Sequence, residues 1–414
     1  MARILFVAPS SFPLNGPEAY VNAKVIKTLS EAGHILDIVS LKSIRRDRYY
    51  PPEEDHKYFE KVNSINVVKI NTGKNLSTLY NHLRCFFKTG FVYKGSDWAY
   101  KSIIKCEKLI KKNHYDYVYT YDYPSEIVGL YVAKKYDIKW IATWNDPYTM
   151  SKYPIPYGLG KDANLNRNRL KLISEIGKYT YKNVFPNERL KKYMLSYMSN
   201  MKEESCLICP HIVLKDQIKY KKREYSNTLR LIHSGSIGKE RDPEYFFRAL
   251  YEVKKHVKDI KVEVTFLGIN TGKTNDNIKS LIKELDISDN IIFYPPIHYS
   301  DSLKFILDYD ICLIIEAQCD EGIFLPSKVA DYIQNSKPIF AISPKRGVLN
   351  DLWHNGNISY FADNKSIEDI EKTLIEIIED FKNSKVTVNN KVQTYFSGEV
   401  SLKDQLEMLN CTSK

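Results

Sequence analysis

Two apolar runs, Ile311-Cys312-Leu313-Ile314-Ile315 and Ile339-Phe340-Ala341-Ile342, constrain this chain more than any other feature. Short continuous runs of this kind, without polar alternation, mark strands buried on both faces, as in a parallel sheet. The sequence between them, from Glu316, holds a polar loop with the acid pair Asp320-Glu321 and then Gly322. Pro326-Ser327 opens a helix whose apolar face is Val329, Ala330, Tyr332 and Ile333, and Asn335-Ser336-Lys337-Pro338 stops it. Strand, loop, helix, strand places the loop and the helix start at the carboxyl edge of a sheet, where open α/β sheets bind ligands. Free N–H groups and the positive dipole end favour a phosphate there. Lys328, in the first turn, is disfavoured by that dipole, which points to an anion nearby. An ordinary strand–helix–strand unit with a solvated lysine reads the same residues equally well.

At 414 residues the chain exceeds one ordinary core, and two domains are expected. Apolar content of 43% and charged content of 27% are those of a soluble globular protein. No apolar run approaches ~18 residues, so no membrane-spanning helix is expected. Met1-Ala2-Arg3 leads straight into the strand-like Ile4–Ala8, with no signal-peptide pattern, and a cytoplasmic protein is expected. The seven cysteines lack paired metal spacing; Cys206 and Cys209 form a lone CxxC, best read as free thiols. A net charge of +11 calls for acidic partners such as nucleotides or anionic lipid. Nucleic acid is not expected, since no zinc finger, recognition helix or basic tail is present.

Along the first half, Ile4–Ala8, Ile35–Ser40, Ile65–Ile70, Asp116–Thr120, Trp140–Thr143 and Ser205–Cys209 read as strands, with helices over 19–32 and up to Tyr136. The stretch from Pro147 to Met201 reads as helical and basic. Three loops fall on the ligand edge: 9–18 with Gly16 and Glu18, 121–125 with Asp122, and 144–148 with Asp146. Gly16 suits either close approach of a ligand to the backbone or simply a turn. Residues 77–112 interleave rings with cations (Arg84, Phe86, Phe87, Lys88, Phe91, Lys94, Trp98, Lys101), which suits an anionic membrane surface; helices packed on the sheet with solvated lysines explain them as well.

Residues 211–228 are polar and basic and read as a linker. A second series follows, with strands at Leu229–His233, Val262–Leu267 and Asn290–Tyr294 before the opening stretch. Its first loop, 234–243, offers Gly235, Ser236, Lys239 and Arg241 to a diphosphate. A later loop carries His298. The expected domains are 1–210 and 229–395, with a helix in 396–414 that returns to the first domain.

Two such α/β domains resemble the GT-B fold, two Rossmann-like domains facing across a cleft, and the motifs resemble retaining glycosyltransferases of family four. That family carries a glutamate, seven residues and a second glutamate, commonly within EGFGLP-x-x-EAMA-x-G-x-P. Here Glu321-Gly322-Ile323-Phe324-Leu325-Pro326 matches the first half, and Asp331, counted back from Lys337-Pro338, takes the second acid's place. PSKVADY is similar to the PSK-x-x-E/D-Y variant of polysaccharide-building members. The resemblance implies that Glu321 holds hydroxyls of the donor sugar, Asp331 the ribose, and the backbone near Phe324 and Leu325 the sugar or diphosphate. Gly235 and Arg241 match the ends of the family's G-R-x-x-x-x-K loop; Ser236 replaces its first arginine, and Lys328 is inferred to restore that charge. His298 is assigned to the donor side. Asp146, in Asn145-Asp146 where many members have His-Asp, is the expected catalytic helper. Gly16, Glu18 and Asp122 are the expected acceptor-side residues.

The implied activity is transfer of a hexose from a nucleotide-diphosphate sugar, with uracil the favoured base, to an acceptor hydroxyl with retention. The acceptor is expected to be carbohydrate or lipid-linked, in surface polysaccharide or glycolipid synthesis at the inner membrane face. No cofactor or metal is expected, the cations and helix ends sufficing for the leaving diphosphate; Asp308-Tyr309-Asp310 has the letters of a metal motif but leads into a strand. Two alternatives stand: a nucleotide-sugar 2-epimerase, and a non-catalytic partner subunit.

Overall fold

The structure, a computed structural model, describes residues 1–42, 53–70, 76–121, 123–214, 226–238, 240–269, 276–389 and 391–411. It comprises two compact units: Met1–Lys152, Lys161–Ile212 and Ser397–Lys414 form the first, and Tyr153–Gly160 and Val213–Phe396 the second. The first-domain range drawn from sequence included residues 153–160, but these join the second unit. Tyr153 and Tyr157 lie 5.7 and 5.2 Å from the Phe324 ring, centroid to centroid, and this aromatic contact ties the segment there.

The first unit holds strands β1 (Arg3–Val7), β2 (Ile35–Lys42), β3 (Ser64–Lys69), β4 (Tyr117–Tyr121), β5 (Lys139–Thr143), β6 (Thr180–Phe185) and β7 (Cys206–Ile208). Its helices are α1 (Pro17–Glu31), α2 (Leu76–Thr89), α3 (Ser96–Ile110), α4 (Ser125–Tyr136), α5 (Arg167–Tyr179) and α6 (Glu188–Leu195). The strands form one sheet in the order β3-β2-β1-β4-β5-β6-β7, parallel throughout. β4 is buried at all five positions, as a central strand covered on both faces must be. Strand β6 corrects the helical reading of 147–201: its buried Asn183 accepts a hydrogen bond from the Trp144 indole at 3.0 Å.

The second unit holds β8 (Thr228–Ser234), β9 (Lys261–Leu267), β10 (Ile291–Tyr294), β11 (Ile311–Ile315), β12 (Ile339–Ser343) and β13 (Tyr360–Asp363). Helices α7 (Glu244–His256), α8 (Asp276–Glu284), α9 (Tyr299–Ile306), α10 (Lys328–Gln334), α11 (Val348–His354), α12 (Ile367–Lys382) and α13 (Lys391–Tyr395) belong to it. The sheet order is β10-β9-β8-β11-β12-β13, again parallel. Two apolar layers sandwich it: Phe247, Val264 and Leu374 on one face, and Ile232, Val329 and Ile339 on the other. α14 (Gly398–Ser401) and α15 (Lys403–Cys411) close the chain on the first unit, where the buried Gln405 accepts from the Tyr119 hydroxyl at 3.2 Å.

Both sheets reverse strand order beside their first strand, between β1 and β4 and between β8 and β11. Loops leaving neighbouring strands to opposite sides open a crevice at such a point. In the second unit those loops are 235–243 and 316–327. Among the described residues no helix is long and apolar enough to cross a membrane.

Candidate functional site

The crevice of the second unit gathers one cluster. His233, the penultimate residue of β8, is fully buried, and after Ser234 the chain turns at Gly235, whose φ of +114° suits only glycine. Lys328, first residue of α10, reaches beneath that turn: its Nζ is 3.1 Å from His233 Nε2 and 3.3 Å from where a side chain on Gly235 would begin. When the Lys328 amine is protonated it has no lone pair, and it then donates to His233 Nε2 of a neutral imidazole. Burial, reinforced by Lys328 and Arg241, holds the His233 pKa well below its usual value. Burial likewise lowers Lys328 to about 7; Glu316 and Asp331 oppose the shift and Arg241 adds to it. The Arg241 guanidinium lies 3.4 Å from Glu316 Oε1 and 5.6 Å from the centre of the Tyr157 ring.

Around this centre the loop 316–327 is pinned at its start and its middle. Asn364 donates to the carbonyls of Glu316 and Ala317, each at 2.9 Å, and Gly322 exchanges backbone hydrogen bonds with Arg346 and Val348, each at 2.8 Å. Glu321 meets Arg346 at 3.2 Å. Asp331, in α10, accepts from the Tyr299 hydroxyl at 2.5 Å, and the Tyr332 hydroxyl accepts from the Ser234 N–H at 2.8 Å. α10 starts at Lys328 with no side-chain cap and has seven residues, so it is shorter at its start than the reading from Pro326. The crevice is therefore lined by the Lys328 and Arg241 side chains and the glycine turn more than by a helix end.

The structure thus brings Gly235, Arg241 and Lys328 together at the switch point, with Asp331 on the same helix as Lys328. Ser236 is exposed on the same turn. Phe324 is enclosed by the two tyrosine rings, whereas the Leu325 side chain is buried in the apolar layer and leaves only its backbone for a ligand. His298 precedes α9, next to Tyr299. Asp310 accepts from the Arg230 N–H at 2.8 Å and is structural. Lys239 lies outside the described residues. Sequence reasoning missed His233, Glu316, Tyr157 and Tyr299: His233 looked like a strand terminus, and nothing in the first-half sequence ties 153–160 to the second unit.

The first unit carries an acid cluster. Gly16, at φ +150°, precedes α1, and Pro17 occupies its first turn. Asn145 Nδ2 donates to Glu18 Oε2 at 2.9 Å. Burial, then the charge of Asp146, raises Glu18 to about 7. Gly16, Glu18 and Asp146 are therefore neighbours; Asp122 lies outside the described residues. A buried acid also escaped the sequence reading. Glu126 accepts from the Tyr148 hydroxyl at 3.0 Å, which accepts from Arg169 at 3.2 Å, and burial raises Glu126 to about 7. A glutamate at the start of a helix looks in sequence like a dipole partner, so nothing marked it. Among the described residues no group of three or more His, Cys, Asp or Glu side chains is placed to hold a metal.

Residues 215–394 match the family described as glycosyl transferases group 1, a stretch confined to the second unit. No curated protein matches the chain in sequence. Among solved structures, sucrose-phosphate synthase from Thermosynechococcus elongatus is similar at 12% identity over all of both chains, with a TM-score of 0.67. Anabaena HepE, solved with UDP and glucose, is 12% identical over 99% of this chain and all of its own, TM-score 0.66. A UDP-N-acetylglucosamine 2-epimerase is 13% identical over 99% of this chain and 96% of its own, TM-score 0.54. The likenesses show the GT-B fold, with its two Rossmann-like domains. Both transferases and an epimerase share it, so the reaction is to be argued from the residues.

Proposed function

We propose that this chain is a glycosyltransferase that moves a hexose from a UDP-sugar to an acceptor hydroxyl with retained configuration. The observation that carries this reading is the half-buried amine of Lys328 beneath the Gly235 turn, with Arg241 beside the same crevice. Two cations and a glycine that lets the backbone approach are what a diphosphate needs. The match of 215–394 to a glycosyl transferase family and the HepE structure with UDP support the donor class. Asp331 holds the ribose, Glu321 the sugar hydroxyls, Ser236 and the backbone near Phe324 and Leu325 the phosphates or sugar, and His298 the base-side loop.

In the reaction the bond between the anomeric carbon and the β-phosphate oxygen breaks. Arg241 and Lys328 stabilise the charge that develops on the leaving UDP. The acceptor oxygen bonds to the same face of the anomeric carbon, and its proton passes to the leaving phosphate. Because the two side chains supply the cationic charge, the reading needs neither metal nor cofactor, and chelator should leave turnover unchanged. Asp146, Glu18 and Gly16 belong to the acceptor side, with Asp146 the polar helper, and Asp122, outside the described residues, is assigned to that side from sequence alone. The acceptor is carbohydrate or lipid-linked, made into surface polysaccharide or glycolipid at the cytoplasmic membrane face.

Proton NMR of slow donor hydrolysis tests the reading. With a UDP-α-sugar, the first free sugar should be the α anomer, which then mutarotates. An initial β anomer contradicts retention. UDP binding without release of sugar, in any acceptor mixture, favours the non-catalytic partner. Epimerised sugar without an acceptor favours the epimerase.

A further inference from the structure

Helix α2 is amphipathic the wrong way round for a helix that only packs on its own protein. Its inward side is small or polar: Asn81 and Cys85 are the buried residues, and Asn81 Nδ2 donates to Asp97 Oδ1 at 2.5 Å. Its outward side carries Leu76, Leu79, Tyr80, Leu83, Phe86 and Phe87, at helical spacings of three and four, with Phe87 83% exposed. Six large apolar side chains in one solvent-facing stripe exceed the scattered exposure normal for a monomer surface. The rest of the 77–112 region does not share this property. Phe91 and Trp98 are buried, and Lys88 and Lys101 are paired with Glu107 and Asp97.

Charge decides what fits the stripe. Residues 76–112 hold eight lysines and arginines against the two acids Asp97 and Glu107, and both acids are already paired. Arg84 flanks the stripe, held by Tyr80 and Tyr100, and the exposed Lys94 follows it. A two-fold contact with another copy would set this basic rim against itself. An anionic bilayer neutralises it while taking up the apolar stripe.

We propose that α2 lies in the plane of an anionic membrane interface, with Leu79, Leu83, Phe86 and Phe87 at the acyl boundary and Arg84 and Lys94 among the headgroup phosphates. This deepens the membrane-side part of the function proposed above, but it stands on α2 alone and needs no sugar transfer.

Co-sedimentation of the full chain with vesicles of phosphatidylcholine, alone or with about 30 mol% phosphatidylglycerol, tests it without nucleotide. Binding to the anionic vesicles should exceed binding to the neutral ones and weaken in about 0.5 M salt. Leu83→Glu/Phe87→Glu should lower partitioning by about tenfold or more, with circular dichroism and melting unchanged because both sites are exposed. Arg84→Glu/Lys94→Glu should abolish the preference for anionic lipid. Absence of vesicle binding, or equal binding by the Leu83/Phe87 variant, overturns the proposal. So does a concentration-dependent dimer lost in that variant without vesicle binding, which would make the face a contact between copies. UDP binding, measured on the same samples, reports separately on the donor reading.

Discussion

At Lys328, burial, Arg241 and the helix dipole act against a charged amine, while Glu316 and Asp331 act for it. A diphosphate bound beneath Gly235, as proposed, would favour the protonated form, so nucleotide binding would draw a proton onto this amine above neutral pH. UDP affinity should therefore fall as pH rises from about 7 to about 9, a window above the phosphate's own pKa of about 6. Lys328→Arg should flatten the profile, as calorimetry at several pH values would read. The same shift acts on the free protein: with its folded pKa depressed, Lys328 contributes stability that is present above the unfolded pKa and lost as pH falls through about 7. Glu18 has the opposite sign. Its pKa is raised by burial and then by Asp146, so its contribution is present below about 4.5 and lost as pH rises through about 7. Glu18→Gln should thus gain in melting temperature over wild type between those pH values, and a constant difference would contradict the buried pairing. At this scale sequence showed what sits in a recognisable spacing, Glu321, Lys328, Asp331 and Arg241. It did not show His233 or Glu316, because their importance lies in what the fold places opposite them.

At the scale of elements, the buried central strands were legible because residues covered on both faces must be apolar throughout. β6 and β13 were not. In Thr180-Tyr181-Lys182-Asn183-Val184-Phe185 only the last three residues are buried, and the first half reads as surface. β13 has four residues at the sheet margin. The basic–aromatic region was visible as composition, yet only the helix orientation assigns the outward rings to α2 and buries Trp98 in α3. Helix α4 packs against the sheet through Gly129, where a methyl group would overlap the Trp140 indole; that indole donates to Thr120 Oγ1 at 2.8 Å. Gly129→Ala should lower stability by about 1–3 kcal/mol through overpacking, despite the better helix propensity of alanine. An unchanged urea midpoint would contradict this packing.

For the whole molecule, the two-unit organisation followed from length and from two successive strand–helix series. The assignment of 153–160 to the second unit could not be read, since it rests on ring contacts between residues more than 160 positions apart. The terminal segment has a testable consequence. Leu402 and Leu409 are fully buried in it and Gln405 meets Tyr119, while the second unit ends at Phe396. Burying one leucine contributes about 1.5–3 kcal/mol, a sizeable share of the ~5–15 kcal/mol that holds a domain together. Deleting residues 397–414 should lower the melting temperature of the first unit and leave UDP binding by the second intact; an unchanged melt would contradict the packing.

The central claim is that Lys328 and Arg241 together hold the diphosphate of a nucleotide sugar. Calorimetric titration of UDP into wild type, Lys328→Ala and Arg241→Ala/Lys328→Ala tests it most directly. Charged hydrogen bonds contribute about 1.5–3 kcal/mol each, so the single variant should lose roughly tenfold or more in affinity and the double variant should not bind measurably. Failure of the wild type to bind UDP or any other nucleoside diphosphate, or undiminished binding by the double variant, would contradict it.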